Sequence, residues 1–219
     1  MISDPLCAPP EMLFDCIMGI NRTHRQWLNN AIKKTPSIND CTLLNFFGAG
    51  DPYLPATDFS WDQPAPGTTV HGSSVHLYEQ VRFPLACVLP VAIFKKTWFS
   101  LTTESRENHL RYFSEKTAKP LLGRRLFILF AAPGMLADLK TLGFQTFDSI
   151  VDESYDGILD DETRWQRAFD QAIWLSQQDP VKIYKKIKPV LDHNHEHFLS
   201  INWESKMIGE MQDIINFDK

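Results

Sequence analysis

The sequence predicts an α/β fold in which a single parallel sheet is flanked by helices. Residues 97–147 alternate between strand-like and helix-like segments, and Leu126–Ala131 is a continuous apolar run typical of a strand buried on both faces. Strands that alternate with helices pair in parallel through right-handed crossovers. We therefore expect a Rossmann-like sheet with a proline-rich loop insertion and a C-terminal helical segment.

The first strand–helix unit is predicted near the start of the chain. Met12–Ile20 is an apolar run that favours a strand, and Asn21–Arg25 is a polar loop. Apolar residues then recur at helical spacing up to Lys34, and Cys41–Phe47 favours a second strand that ends at Gly48–Gly50.

The middle of the chain is rich in proline. The stretch 52–90 holds six of the 14 prolines and predicts an irregular insertion or lid, in which only Ser73–Phe83 is expected to be helical.

The remaining elements follow from their end signals and spacing. The predicted elements are a strand at Thr97–Thr103, a helix capped by Ser114 and ended by Gly123, a helix at Met135–Leu142, a short strand at Phe144–Phe147, and helices at 161–177, 180–199 and 204–217. A kink or break is expected at Pro189 in the second of these last three helices.

The composition excludes several classes of protein. With 27 Asp and Glu against 22 Lys and Arg, the net charge is −5, which removes the global positive charge that favours nucleic acid. No run approaches the ~18–20 apolar residues that span a bilayer. The first ten residues do not resemble a signal peptide, and no two of the four cysteines form a CxxC pair. We expect a cytoplasmic protein with reduced thiols.

Polar residues lie between the strand ending at Thr103 and the helix beginning at Glu115. Open α/β sheets bind ligands outside the carboxyl ends of their strands, and a helix N-terminus suits a phosphate. Lys116 and Lys119 would supply charge to diphosphate oxygens, and a glutamate can accept both hydroxyls of a ribose. Alternatively, Glu115 only favours the helix N-terminus and the lysines form a solvated face.

Several short motifs in this half of the chain occur in a recognisable order. The segment from about Thr97 to Asp156 resembles the donor-binding half of GT-B glycosyltransferases, with the fucosyltransferases as the most similar pattern, and it is also similar to a group of uncharacterised tailed-phage proteins. The matching elements are Glu115-Lys116-Thr117, Pro120, Leu142-Gly143-Phe144, Thr146-Phe147-Asp148 and Asp152-Glu153-Ser154-Tyr155-Asp156.

The resemblance implies a nucleotide-diphosphate sugar as donor substrate and no other cofactor. It implies that Glu115 binds the donor ribose and Lys116 the diphosphate, with Thr117 in the same motif. Glu104 and Ser105 match the preceding family element loosely, because its central asparagine is absent.

Asn21–Arg25 follows the first strand and is expected at the same sheet edge. His24 could act as general base on an acceptor hydroxyl, since its ordinary pKa near 6.5 suits that task, and Glu104 is the other candidate. Arg22 or Arg25 could stabilise the leaving diphosphate. A polar helix start without chemistry is the alternative.

The resemblance divides the chain into three parts of one compact domain. These are residues 1–95 with the loop region 48–90, a donor-like part at 96–157, and C-terminal helices at 158–219. A GT-B enzyme has two Rossmann-like domains, whereas 219 residues have room for one. The acceptor face is therefore expected to come from the 21–25 and 48–90 loops or from a partner, or activity has been lost. The alternative is a non-catalytic interaction protein, such as a phage structural or host-modulating factor, possible as a homo-oligomer.

Two further clusters have simpler interpretations. His193 and His197 share a helix face, as two metal ligands would, but no third ligand is identifiable and we expect no metal. The simplest explanation of the acidic residues in 152–162 is compensation of a helix dipole, and a bound cation is the alternative.

Overall fold

A computed structural model of the protein describes residues 5–50, 89–105, 111–203 and 205, and the backbone of 69–70, 73–78 and 81–84. The strands are β1 (Met12–Met18), β2 (Thr42–Phe46), β3 (Thr69–Val70), β4 (Ser73–Tyr78), β5 (Val81–Pro84), β6 (Thr97–Thr103) and β7 (Phe127–Phe130). The main sheet has four parallel strands in the order β2-β1-β6-β7, flanked by helices, which confirms the predicted α/β fold. A smaller antiparallel sheet has the order β3-β4-β5.

Helices connect and cover the strands of the main sheet. They are α1 (Thr23–Lys34), α2 (Pro36–Asn39), α3 (Val91–Phe94), α4 (Glu115–Leu122), α5 (Met135–Thr141), α6 (Asp161–Ser176) and α7 (Pro180–Ser200). No helix within the described ranges is both long enough and apolar enough to cross a membrane.

The chain leaves the centre of the sheet in two opposite directions. β1 and β6 are neighbours, with Phe14 opposite Phe99, and β1 leads through α1 to β2 on one side while β6 leads through α4 to β7 on the other. Right-handed crossovers that run in opposite directions put α1 and α4 on opposite faces of the sheet. The carboxyl ends of β1 and β6 therefore form the topological switch point, where open α/β sheets bind ligands.

Aromatic side chains hold a helical layer on each face. The Trp27 ring of α1 packs 6.0 Å from the Trp165 ring and 6.1 Å from the Phe169 ring of α6. On the other face, the Trp98 ring of β6 lies 6.1 Å from the Tyr184 ring of α7. The sheet is thus enclosed between an α1/α6 layer and an α4/α7 layer.

A buried ion pair crosses the centre of the sheet. Arg125 donates from Nη2 to Oδ2 of Asp15 at 2.8 Å, and the two side chains are 3% and 5% exposed. The same carboxylate oxygen accepts from the hydroxyls of Thr97 and Ser100. Burial raises the pKa of Asp15, partly offset by Arg125, and burial lowers the pKa of Arg125. Oδ2 of Asp15 thus accepts three hydrogen bonds, which offset the cost of burying its charge.

Two predicted elements are wrong. The helix predicted at Ser73–Phe83 is wrong, because its described residues belong to β4 and β5, which pair as antiparallel strands. Apolar residues occur at every second position within each strand, which fits a sheet better than a helix; they are Val75, Leu77, Val81 and Phe83.

The short strand predicted at Phe144–Phe147 is a loop instead. Side chains take up its backbone groups in place of a neighbouring strand. Asn194 binds both the N–H and the C=O of Gln145, and Glu153 accepts from the N–H of Phe147.

Of the kink or break predicted at Pro189, the break is wrong, because α7 runs as one helix through that residue. The helices predicted at 161–177 and 180–199 are otherwise confirmed. The helix predicted at 204–217 and most of the 48–90 loop region lie outside the described residues.

Candidate functional site

The switch point brings three polar segments to one edge of the sheet. They are Gly19–Arg22 after β1, Glu104 and Ser105 after β6, and Ser114–Lys116 at the start of α4. The segments after β1 and β6 lie close together because the two strands are parallel neighbours, so that their carboxyl ends are side by side. We take this β1/β6 crevice as the candidate functional site.

Glu104 organises the crevice through its buried carboxylate. The residue is 1% exposed, and its carboxylate oxygens accept four hydrogen bonds. The donors are the N–H of Ser105 at 2.9 Å, the N–H and hydroxyl of Ser114 at 3.1 and 2.5 Å, and the hydroxyl of Thr117 at 2.5 Å. The negative charge lies at the N-terminus of α4, where the helix dipole stabilises it. In this arrangement Glu104 joins the end of β6 to the first turn of α4.

The first turn of α4 carries the two residues of the predicted donor motif. Ser114 is the N-cap, and its hydroxyl accepts from the N–H of Lys116, as its sequence position predicted. The Lys116 ammonium donates to the Ser105 hydroxyl at 3.2 Å and pairs with the Glu115 carboxylate at 2.5 Å. Burial raises the pKa of Glu115, but the hydrogen bond and charge of Lys116 outweigh it, so the pKa lies below its ordinary value.

Glu115 and Lys116 are two partly accessible charges at the start of α4. Their side chains are 33% and 21% exposed. They satisfy each other in this structure, and a bound ligand would have to replace that pairing. An ammonium and a carboxylate on one helical turn can reach a phosphate and a pair of hydroxyls respectively.

His24 and Arg25 lie beneath the crevice and not at its surface. His24 is 0% exposed and donates from Nε2 to the carbonyl of Glu104 at 2.8 Å. Arg25 is 3% exposed and donates to the same carbonyl at 2.9 Å and to the carbonyl of Ile20 at 2.7 Å. Both side chains fasten the start of α1 to the end of β6.

The structure brings most of the predicted site residues together. Glu104, Ser105, Glu115, Lys116, Thr117, His24 and Arg25 form one hydrogen-bonded cluster. Arg22 is exposed at the N-cap position of α1, and Lys119 lies in the last turn of α4. The catalytic roles of His24 and Glu104 and the binding roles of the others stay predictions.

Two aspartates of the Asp152–Asp156 motif bind backbone N–H groups at the starts of helices. The carboxylate of Asp156 accepts from the N–H groups of Leu136 and Ala137 at the start of α5. Asp152 caps the following one-turn helix. This confirms the expected compensation of helix N-termini by acidic residues.

The histidines of α7 bind the carboxyl ends of two other helices. His195 donates to the carbonyl of Leu122 at the end of α4, and His197 and His193 donate to the carbonyls of Leu142 and Gly143 at the end of α5. Such carbonyls have no partner within their own helix. Among the residues that the structure describes, no group of three or more His, Cys, Asp or Glu side chains could hold a metal ion.

Comparison with known proteins gives no relative: no family model matches the chain, and no curated protein or solved structure is significantly similar to it.

Proposed function

We propose that the β1/β6 crevice binds a nucleotide-diphosphate sugar and that the protein is glycosyltransferase-like, moving the sugar to an acceptor. The observation that carries the proposal is the position of Lys116. Its ammonium lies in the first turn of α4, 3.2 Å from the Ser105 hydroxyl, at the switch point of a parallel sheet. Helix start, lysine and switch point each favour a phosphate ligand.

Lys116 and Glu115 bind different parts of the ligand. Lys116 neutralises the diphosphate, and Glu115 accepts hydrogen bonds from the ribose hydroxyls. Their mutual ion pair opens on binding, and each exchanges one partner for another. Glu104 supports both by fixing the start of α4 through Ser114 and Thr117.

Transfer would break the bond between the sugar carbon and the diphosphate oxygen and form one to an acceptor oxygen. The acceptor proton passes to a base, for which His24 and Glu104 are the candidates. Since both are buried and hydrogen-bonded, the acceptor would have to displace one of those bonds to reach either base.

Calorimetric titration with UDP-, GDP- and ADP-sugars tests the proposal. We expect at least one to bind, and Lys116→Ala to weaken it by about 10- to 100-fold, the value of a charge-assisted hydrogen bond. Lys33→Ala removes an exposed lysine at the far end of α1 and serves as the matched control. If none of the sugars binds, the proposal is rejected.

A second candidate function is a non-catalytic interaction protein on the same scaffold. Its specific support is that Glu104 already places a carboxylate at the start of α4, and that His24 and Arg25 are committed to the Glu104 carbonyl. Light scattering and a pull-down analysed by mass spectrometry test it. A monodisperse monomer that turns over a nucleotide sugar would reject this alternative.

A further inference from the structure

Three buried polar atoms on the α1/α6 side of the crevice have no hydrogen-bond partner among the described residues. They are the hydroxyl oxygen of Thr103, the indole nitrogen of Trp165 and the amide oxygen of Asn29. Their residues are 2%, 3% and 8% exposed. Native proteins satisfy about 90% or more of such groups with protein or ordered water, so unpaired atoms in one region require an explanation.

The residues that carry the first two atoms, Thr103 and Trp165, are both neighbours of His24. Thr103 directly precedes Glu104, whose carbonyl accepts from His24, and the His24 ring lies 6.2 Å from the Trp165 ring. Because successive strand residues face opposite sides, and Glu104 reaches α4, Thr103 faces the side of α1 and α6.

Asn29 lies on the buried side of α1, one turn beyond Arg25. The three atoms therefore belong to the same layer, between the carboxyl end of β6 and the helices α1 and α6.

The chemistry of the three atoms defines what can satisfy them. An indole N–H only donates, an amide oxygen only accepts, and a hydroxyl does both. A carboxylate or phosphate could accept from Trp165 but could not donate to Asn29, and an ammonium could not accept from Trp165. A neutral oxygen that carries a hydrogen fits all three.

We propose that Thr103 and Trp165, with Asn29 at its margin, form an internal subsite for a neutral hydroxyl oxygen beside the β1/β6 crevice. The oxygen accepts from the Trp165 indole, exchanges a hydrogen bond with Thr103 and donates toward Asn29. Water is the smallest such molecule, and a hydroxyl group of a ligand in the crevice has the same chemistry. The proposal does not depend on the identity of that ligand.

A double-mutant cycle of Thr103→Val and Trp165→Phe tests whether the two side chains bind the same oxygen. Each change removes the polar atom and keeps most of the side-chain volume. If both atoms bind one oxygen, either change alone releases it, and the second change then costs little. Each substitution should increase the equilibrium constant of unfolding. We expect the increase in the double variant to be smaller than the product of the two single increases by at least about two- to threefold.

The control pairs Trp165→Phe with Thr102→Val, the same change one residue earlier on the opposite face of β6. In this control cycle, the effects of the two substitutions on the unfolding constant should multiply. The cycle is run without ligand and with saturating UDP-glucose or GDP-fucose. Coupling in the free protein identifies water, and coupling only with sugar identifies a ligand hydroxyl.

Multiplicative effects in both conditions overturn the subsite, whether or not the sugar binds to Lys116. Should Trp165→Phe fail to fold, wild-type NMR provides the readout. A cross-peak between the Trp165 indole proton and a long-lived water or a sugar proton is expected, and its absence in both states overturns the proposal.

Discussion

The hydroxyl of Thr117 donates a 2.5 Å hydrogen bond to Oε1 of Glu104, which lies 13 residues earlier in the chain. This bond joins the end of a central strand to the interior of the next helix. It is one of four hydrogen bonds that allow this carboxylate to be 1% exposed. Glu104 therefore positions α4 relative to β6.

Replacement of Glu104 by glutamine should destabilise the protein. The amide keeps the size of the side chain but turns one acceptor into a donor, which then meets the donors of Ser105, Ser114 or Thr117. We expect a loss of about 2 kcal/mol in the free energy of unfolding, measured by urea denaturation. Glu115→Gln, on a partly exposed carboxylate of the same turn, is the control and should cost much less. An unchanged urea midpoint for Glu104→Gln would contradict the positioning role.

Loss of one partner of the buried ion pair should be costly, and loss of both much less so. Asp15→Asn leaves the Arg125 guanidinium without a counter-charge, for an expected loss of about 3 kcal/mol. The double variant Asp15→Leu/Arg125→Met should recover most of this loss, because apolar residues of similar volume replace buried pairs well. Thermal or urea unfolding of both variants checks this, and equal losses in the two would count against it.

Glu115 should contribute stability in a pH-dependent way. Its pKa is lowered in the folded protein, so its contribution is present above its ordinary value of 4.5 and is lost as the pH falls through the folded value. The advantage of wild type over Glu115→Gln should therefore be present at pH 7 and shrink as the pH falls below 4.5. Because the side chain is partly exposed, the effect is at most a few tenths of a kcal/mol. An advantage that grows on acidification would contradict this sign.

Asn194 should be important for the loop that replaces the predicted strand after α5. It accepts from the N–H and donates to the C=O of Gln145, each at 2.8 Å. Asn194→Asp keeps the acceptor but loses the donor and places a negative charge against the carbonyl, for an expected cost of about 1–2 kcal/mol. Urea unfolding measures this, with the exposed Asn30→Asp as control. Equal midpoints for the two variants would show that the contact is dispensable.

Periodicity and end signals were sufficient to predict the main sheet and most of its helices. Ser114 and Gly123 bound α4 as their residue types indicate, and the apolar run ending at Ala131 contains β7. The sequence could not reveal that Phe144–Phe147 forms a loop, because the groups that satisfy its backbone come from Asn194 and Glu153. Such long-range side-chain contacts leave no local pattern.

The candidate site was predictable in its position but not in its internal bonding. The carboxyl ends of β1 and β6 follow from the order of elements, whereas the burial of His24 depends on α6, far away in sequence. Trp165 and Phe169 lie four residues apart, a helical spacing that predicts a packing face but carries no information about the indole N–H of Trp165. An unpaired polar atom is visible only once the neighbours are in place.

The two ends of α4 are fastened to different parts of the molecule, Glu104 at its start and His195 at its last residue. A helix of eight residues has little stability alone. Local fraying of α4 is opposed at both ends, so its amide hydrogens should exchange together with those of the central strands and not independently. We therefore expect α7 and the start of α4 to belong to one cooperative unit. Substitution of the α7 histidines should then change how often α4 opens at the crevice.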